Sequence, residues 1–333
     1  MKAIKFFAIS AMAAAMITSC SSEDELSQSN YPSDNIVRVT AGVNNAKTRA
    51  EGAGTEMKNN FSLTIVNKNA PKYTYTDKVF SKTSGDWACS ETLLWQNSET
   101  TVDIAAFAPA QTGKFNGVYA EGSIQPITYS VADDQSTKSD NNDLLYYYAK
   151  DFNPGTSLVN KKLSIQFNHA FCMIDIVVTL GTEFNKPNVL KESPIVKVTL
   201  GGTKIAANVD VTNAASVVTA SEEAAATDIT TTKGSFTPAE NADKKADPEA
   251  NAISRFSCIA IPQNVAEKTF KVSLMTAGKL YEWTSAEPVE LKSGYRYTLK
   301  LSMGNDVVLL KGGSISATPW TEAEISDNTL ETD

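Results

Sequence analysis

Short segments in which apolar and polar residues alternate recur along this chain, and they constrain its fold more than any other feature. Alternation with a period of two places apolar side chains on one face of a strand, whereas an amphipathic helix needs a period near 3.6. Strands are predicted at residues 37–43, 61–65, 102–104, 163–180, 195–200, 256–261, 268–275, 280–284, 295–301 and 307–310. Many short strands separated by turn signals predict an all-β protein built from β-sandwiches.

The longest alternating segment runs from Leu163 to Leu180. Its centre carries apolar residues on both faces, including Phe171, Met173 and Val177, which predicts one central strand covered on both sides. Gly278-Lys279 predicts a hairpin turn between two later strands. The Ala-, Thr-, Glu- and Lys-rich segment 214–251 predicts long exposed loops around an extra strand or a short helix.

The domain organisation follows from where this strand series is interrupted. Gly181 to Ser193 contains glycine, asparagine and proline, and it separates two groups of strands. The predicted parts are a leader at 1–19, an acidic linker at 20–35, sandwich domains at 36–182 and 183–320, and a polar tail at 321–333.

The N-terminus has the pattern of an export signal. Lys2 and Lys5 form a positive region, and Phe6 to Ile17 forms an apolar region too short to span a bilayer. Ile17-Thr18-Ser19-Cys20 resembles a bacterial lipobox, and the acidic residues after it resemble a surface-export signal. We therefore predict lipidation of Cys20, with palmitate among the acyl chains, and an outer-membrane anchor. The alternative is ordinary signal cleavage that leaves a free thiol.

Composition argues against several classes of function. The net charge is −8, and no Lys/Arg cluster interleaved with aromatic residues is present, so we predict no nucleic-acid binding. His169 is the single histidine, and neither a G-x-S-x-G elbow, a zinc-ligand pairing nor a phosphate-binding glycine loop accompanies it. We predict no catalytic residue, no metal, no cofactor and no enzymatic activity.

Three cysteines follow Cys20, namely Cys89, Cys172 and Cys258. They are far apart and odd in number, so one disulfide at most is compatible with them. Cys172 and Cys258 lie in apolar segments, which favours buried free thiols.

A series of short motifs follows in a characteristic order along the mature chain. They are Leu94-Trp95 with Val102 to Pro109, Asp134-Gln135-Ser136 with Asp143-Leu144-Leu145, Phe167-Asn168-His169-Ala170, Tyr295 to Leu299, and Ile315 to Trp320. Together they resemble the fimbrillin family, the lipoprotein-derived type V pilins and their Mfa-like relatives. The resemblance implies two tandem transthyretin-like β-sandwich domains and a role as subunit, tip or anchor of a surface fimbria. It also implies a structural role for His169, whose imidazole would cap a hydrogen bond beside the sheet.

The resemblance further implies a processing step. Polymerising members are exported as lipidated precursors and cut after an arginine, and Thr48-Arg49-Ala50 follows the first strand here. Cleavage between Arg49 and Ala50 would remove the lipid and the strand that carries Val37, Val39, Ala41 and Val43. A donor strand from another subunit would then fill the groove. The alternative is that Arg49 is an ordinary exposed arginine in a linker.

The tail indicates the position in the fimbria. Ile325 and Leu330 are its only sizeable apolar residues, and they do not share the parity of a strand face, so it is a poor donor. We predict a tip or accessory subunit that accepts a strand, contacts other fimbrial subunits and surface glycans or proteins of host or bacterial cells, and moves from the outer membrane to the fimbrium after processing. The alternatives are a non-cleaved fimbrial anchor and a standalone glycan-binding lipoprotein that uses Trp87 or Trp283.

Overall fold

The computed structural model describes residues 30–44, 55–57, 59–114, 123–305, 307–310 and 315–320. The strands of the first half are β1 Val39–Val43, β2 Thr55–Glu56, β3 Phe61–Val66, β4 Tyr75–Thr83, β5 Asp86–Cys89, β6 Val102–Ala108, β7 Ile127–Ser130, β8 Leu145–Phe152 and β9 Leu163–His169. Those of the second half are β10 Cys172–Leu180, β11 Ile195–Gly201, β12 Ala206–Val209, β13 Val218–Ala220, β14 Ile229–Thr230, β15 Thr232–Thr237, β16 Ile253–Ala260, β17 Gln263–Val265, β18 Lys271–Thr276, β19 Leu280–Thr284, β20 Val289–Leu291, β21 Tyr295–Met303, β22 Val308–Leu310 and β23 Ser316–Pro319.

Helical structure is limited to a few short segments in the described ranges. One α-helix, α1, spans Pro154–Ser157, and 3-10 turns span Pro71–Tyr73, Asp140–Asn142 and Thr182–Asn185. None of the helices described is long and apolar enough to cross a membrane. The prediction of an all-β, sandwich-type protein is therefore confirmed.

All strands of the first half except β7 form one eight-stranded sheet that folds over its own core. The strand order is β2-β1-β9-β8-β6-β3-β4-β5. Phe61 of β3 and Phe167 of β9 are not on neighbouring strands, yet their rings contact each other edge to face at 5.5 Å between centroids. The two ends of the sheet therefore face each other, as in a sandwich, and enclose one apolar cluster.

Strand β6 is buried on both faces, which explains its continuous apolar sequence. Ile104, Ala106 and Ala108 face the core of the first half, whereas Ala105 and Phe107 face the core of the second half. A strand buried on both sides needs no polar face, so its sequence loses the alternation seen in half-exposed strands. This strand therefore joins the two halves by packing.

The second half is a sandwich of several smaller sheets. A six-stranded sheet has the order β15-β16-β10-β21-β22, with β23 also paired to β21, and it faces the sheets β14-β11-β18-β19 and β13-β12-β7. β17 and β20 form a separate pair. The predicted hairpin at Gly278-Lys279 joins the antiparallel strands β18 and β19, and segment 214–251 contributes β13, β14 and β15.

The prediction of a single strand from Leu163 to Leu180 is wrong. β9 ends at His169 and pairs with the first sheet, whereas β10 begins at Cys172 and lies between β16 and β21 of the second. The apolar positions change from odd numbers in β9 (163, 165 and 167) to even numbers in β10 (172 to 180), and Ala170 and Phe171 between the two strands are fully buried. The sheets thus change before the predicted domain boundary at 182/183, and that boundary remains a prediction.

The three cysteines within the described ranges are free. Cys172 and Cys258 are buried on neighbouring strands, and this burial raises the pKa of both thiols well above the usual range. Cys89 is partly exposed at the end of the edge strand β5.

Candidate functional site

The first strand, β1, lies between a two-residue strand and a long one. It pairs with β9 in parallel, from Val39 opposite Leu163 to Val43 opposite Phe167. On its other edge, within the described part of the chain, only Gly42 and Val43 pair, antiparallel, with β2. β1 is therefore close to the edge of the sheet, and β9 is its main partner.

The apolar residues predicted for this strand point into the core of the first half. Val37, Val39 and Val43 are 6%, 4% and 2% exposed, and Ala41 is partly buried against the same cluster. The exposed Thr40 lies on the other face. The strand thus contributes one apolar stripe to the sandwich, in which Ala41 is the small residue between Val39 and Val43.

The chain just before β1 has a second partner that sequence reasoning missed. Val37 N–H donates to Leu93 O at 2.9 Å, and Trp95 N–H donates to Asn35 O at 2.8 Å. The Leu93–Trp95 segment is held in turn by Tyr75, whose hydroxyl oxygen accepts from Leu94 N–H at 2.9 Å. The Leu94-Trp95 motif was a visible signal, but nothing in it indicated pairing with the first strand.

Hydrogen bonds also fix both ends of the β1–β9 pair. Leu163 N–H donates to Arg38 O, and Asn44 N–H donates to Phe167 O, both at 2.7 Å. The Asn44 side chain adds a bond to Asn168 Oδ1 at 2.8 Å. Removal of β1 would leave β9 with the unpaired backbone groups of a strand edge, which is a template for another strand.

Arg38 lies outside this apolar stripe. Its guanidinium forms a bidentate pair with Asp34, at 2.9 Å for Nη1–Oδ1 and 2.5 Å for Nη2–Oδ2. The pair is exposed, and the Arg38 hydrogen bonds hold the pKa of the Asp34 carboxyl well below its usual range. Arg38 therefore points away from the core that the apolar stripe faces.

Several predicted site residues fall outside the described residues. These are Cys20, Arg49, Ala50 and the tail at 321–333. The structure describes the chain up to Asn44 and again from Thr55, so the predicted cleavage point lies in the connection between β1 and β2. The lipidation and cleavage sites remain predictions.

His169 joins three of the sequence motifs at the junction of the two halves. Its Nδ1 lies 2.9 Å from Asp143 Oδ2, and its ring stacks on Trp320 with centroids 3.8 Å apart and planes 13° apart. The His169 side chain is 3% exposed, and Nε2 has no hydrogen-bond partner among the described residues. The imidazole therefore connects the end of β9 to Trp320, the last described residue of the chain.

The two tryptophans considered for glycan binding pack against core aromatic residues. Trp87 contacts Phe61 edge to face at 4.9 Å between centroids, and Trp283 contacts Phe270 at 6.4 Å. Both side chains are partly buried. These contacts favour packing over an open sugar platform.

Comparison with known proteins identifies the family. The fimbrillin-like family profile matches residues 48–320. Comparison with curated protein sequences gives no match. Solved structures with a similar fold include a candidate cell adhesion protein from Bacteroides ovatus, with a TM-score of 0.61 and 16% identity over 87% of this chain and 99% of that one.

Two further structures have the same fold at low identity. A candidate cell adhesion protein from Bacteroides uniformis has a TM-score of 0.55 and 14% identity over 87% of this chain and 100% of that one. A fimbrial protein from Bacteroides vulgatus has a TM-score of 0.53 and 15% identity over 86% and 99%. Because the family profile covers most of the sequence, this chain belongs to the fimbrillin-like family and is a structural, non-enzymatic fimbrial protein.

Proposed function

We propose that this protein is a tip or accessory subunit of a cell-surface fimbria that accepts a donor strand in place of β1. It is exported as an outer-membrane lipoprotein acylated at Cys20 and is then cut between Arg49 and Ala50. The observation that supports this most is the position of β1, which borders β9 on one edge and, among the described residues, the two residues of β2 on the other. Such a strand can leave without breaking the centre of the sheet.

The chemistry of the vacated site would select its replacement. The donor must present apolar side chains at alternate positions to the sites now filled by Val37, Val39 and Val43, with a small residue at the position of Ala41. Its backbone must form hydrogen bonds to β9. At the positions that replace Asn35 and Val37, it must also form hydrogen bonds to the Leu93–Trp95 segment. Both requirements favour a complementary subunit over a nonspecific strand.

The test is intact-mass analysis with N-terminal peptide mapping of the protein taken from its native cell surface. A start at Ala50 without lipid is the expected result. Arg49→Ala should keep the lipidated start at Cys20, whereas Arg38→Ala, the matched control, should be cut like the wild type. An acylated Cys20 on all of the wild-type surface protein would refute the removal of β1.

The position in the fimbria has its own test. The tail offers no alternating apolar stripe, so we propose that it does not donate a strand. Deletion of residues 321–333 should leave incorporation of the protein into fimbriae unchanged, as measured by immunogold labelling. Loss of incorporation would contradict the tip or accessory role and favour a repeating subunit.

A further inference from the structure

β7 presents a second strand edge, far along the chain from β1. It is the outer strand of the sheet β13-β12-β7, and Tyr129 lies opposite Ala207. Val131 N–H, just beyond the ladder, donates to the directly opposite Ile205 O at 2.9 Å. In an antiparallel pair, hydrogen-bonded positions alternate, so Val131 and Tyr129 direct their backbone groups towards β12.

Thr128 and Ser130 therefore direct their N–H and C=O groups away from β12. Ala132 is the next residue whose backbone groups point away from β12, and side chains supply hydrogen-bond partners for both its N–H and its C=O. Ala132 N–H donates to Asn142 Oδ1 at 2.9 Å, and Ala132 O accepts from Gln135 Nε2 at 3.0 Å. Among the described residues no such partner reaches the outward groups of Thr128 or Ser130, so within that part of the chain the edge is open.

This open edge lines a groove of about 700 Å³ between the two halves of the molecule. One wall begins at Pro109 and Gln111, and it is fixed because Gln111 N–H donates to Ser62 Oγ at 3.0 Å. The other wall is Asn141, whose carbonyl accepts from the Tyr129 hydroxyl. Burial raises the pKa of Tyr129 to about 12, so this hydroxyl stays protonated and able to donate. The groove is thus preformed on both sides.

We propose that this groove binds an extended polypeptide segment, which adds to β7 as a further strand. The outward groups of Thr128 and Ser130 repeat at two-residue spacing, about 6.8 Å along a strand. An extended peptide backbone offers donors and acceptors at that same interval, which an oligosaccharide does not. Among the described lining residues Lys114 is the single charged side chain, which favours neutral or acidic segments.

The site is independent of strand exchange at β1. It is formed by β7 and the loops beside it, and it needs neither cleavage at Arg49 nor loss of the first strand. Failure of the proposed processing would therefore leave this inference intact, and failure of this inference would leave the processing intact.

The test uses a displayed library of random dodecapeptides selected on the chain without its leader. Peptides that are enriched should bind the wild type and Ser130→Ala with Kd values within about threefold, because alanine keeps the backbone N–H. Ser130→Pro should weaken binding at least about tenfold, because it removes that donor, while an edge strand tolerates the proline. The thermal unfolding of each variant checks its fold.

A measurement without substitution covers the case in which Ser130→Pro fails to fold. Amide exchange at Thr128 and Ser130 in the wild type should slow at least about tenfold when a selected peptide is bound. The proposal is overturned if no peptide is enriched, or if selected peptides leave these two amides unprotected. It is also overturned if an oligosaccharide array gives binding that Ser130→Ala and a folded Ser130→Pro both abolish, since the groove would then bind a glycan through the Ser130 hydroxyl.

Discussion

The burial of Val39 predicts how firmly the first strand is held. Val39 is 4% exposed and packs in the core of the first half. Val39→Ala removes two methyl groups, and at about 0.8 kcal/mol for each buried carbon it should weaken the strand by about 1.6 kcal/mol. Thr40 is the matched control, because its side chain is exposed and Thr40→Ala should change stability by less than about 0.5 kcal/mol.

Amide exchange at Leu163 reports this loss directly. Its N–H donates to Arg38 O at 2.7 Å, so it exchanges when the first strand leaves. A loss of about 1.6 kcal/mol corresponds to about 15-fold faster exchange, since each 1.4 kcal/mol is a factor of ten. The amide of Ile259, which donates to Gln135 Oε1 at 2.8 Å in the second half, serves as the internal reference.

Two results would refute this reasoning. If Val39→Ala and Thr40→Ala accelerate exchange at Leu163 equally, the apolar stripe does not hold the strand. If Leu163 and Ile259 accelerate together, the variant unfolds the whole molecule, and β1 is not a separable element.

Three other results are expected. Trp320→Ala should lower the free energy of unfolding by about 3–5 kcal/mol, measured by urea denaturation, because it removes a 7% exposed ring stacked on an imidazole; a loss below about 1 kcal/mol would contradict the packing role. Gln135→Leu should cost about 2–4 kcal/mol, because it removes the hydrogen-bond partners of both the N–H and the C=O of Ile259; a cost near zero would contradict this assignment. In the native protein a thiol reagent should modify Cys89 alone at pH 8, and all three described cysteines should react in urea; native labelling of the two buried thiols would be inconsistent with their raised pKa and burial.

Local periodicity predicted most strands, because each one records in its own residues which face is buried. The apolar stripe of Val37, Val39 and Val43 is an example, and the structure places all three in one core. The break between β9 and β10 left a weaker signal, the change of the apolar residues from odd to even positions. Ala170 and Phe171 between the strands are fully buried, so the segment stays apolar and mean hydropathy does not mark the change of sheet.

Contacts between residues that lie far apart in the chain also could not be predicted from the sequence. An alternating strand fits any neighbour of the same period, so nothing in β1 specified its parallel register with β9. Gln135 shows the same limit for a side chain. It lies in an Asp- and Ser-rich loop, yet it is 2% exposed, and its side-chain amide bonds to the N–H and the C=O of Ile259 as a neighbouring strand would.

The cluster at His169 bears on whether a vacated groove would keep its shape. Among the described residues, the pairs that β9 forms apart from β1 are those of Asn168 with Tyr146 and of His169 with Leu145 of β8. Loss of β1 would therefore leave β9 weakly held, were it not for the His169 ring, which is fixed by Asp143 and by its stack on Trp320. The next amide, Ala170, donates to Leu144 O at 2.8 Å. In a chain that begins at Ala50, we expect the Ala170 amide to stay protected from exchange while that of Leu163 becomes exposed; loss of protection at both would mean that β9 collapses and offers no template to a donor strand.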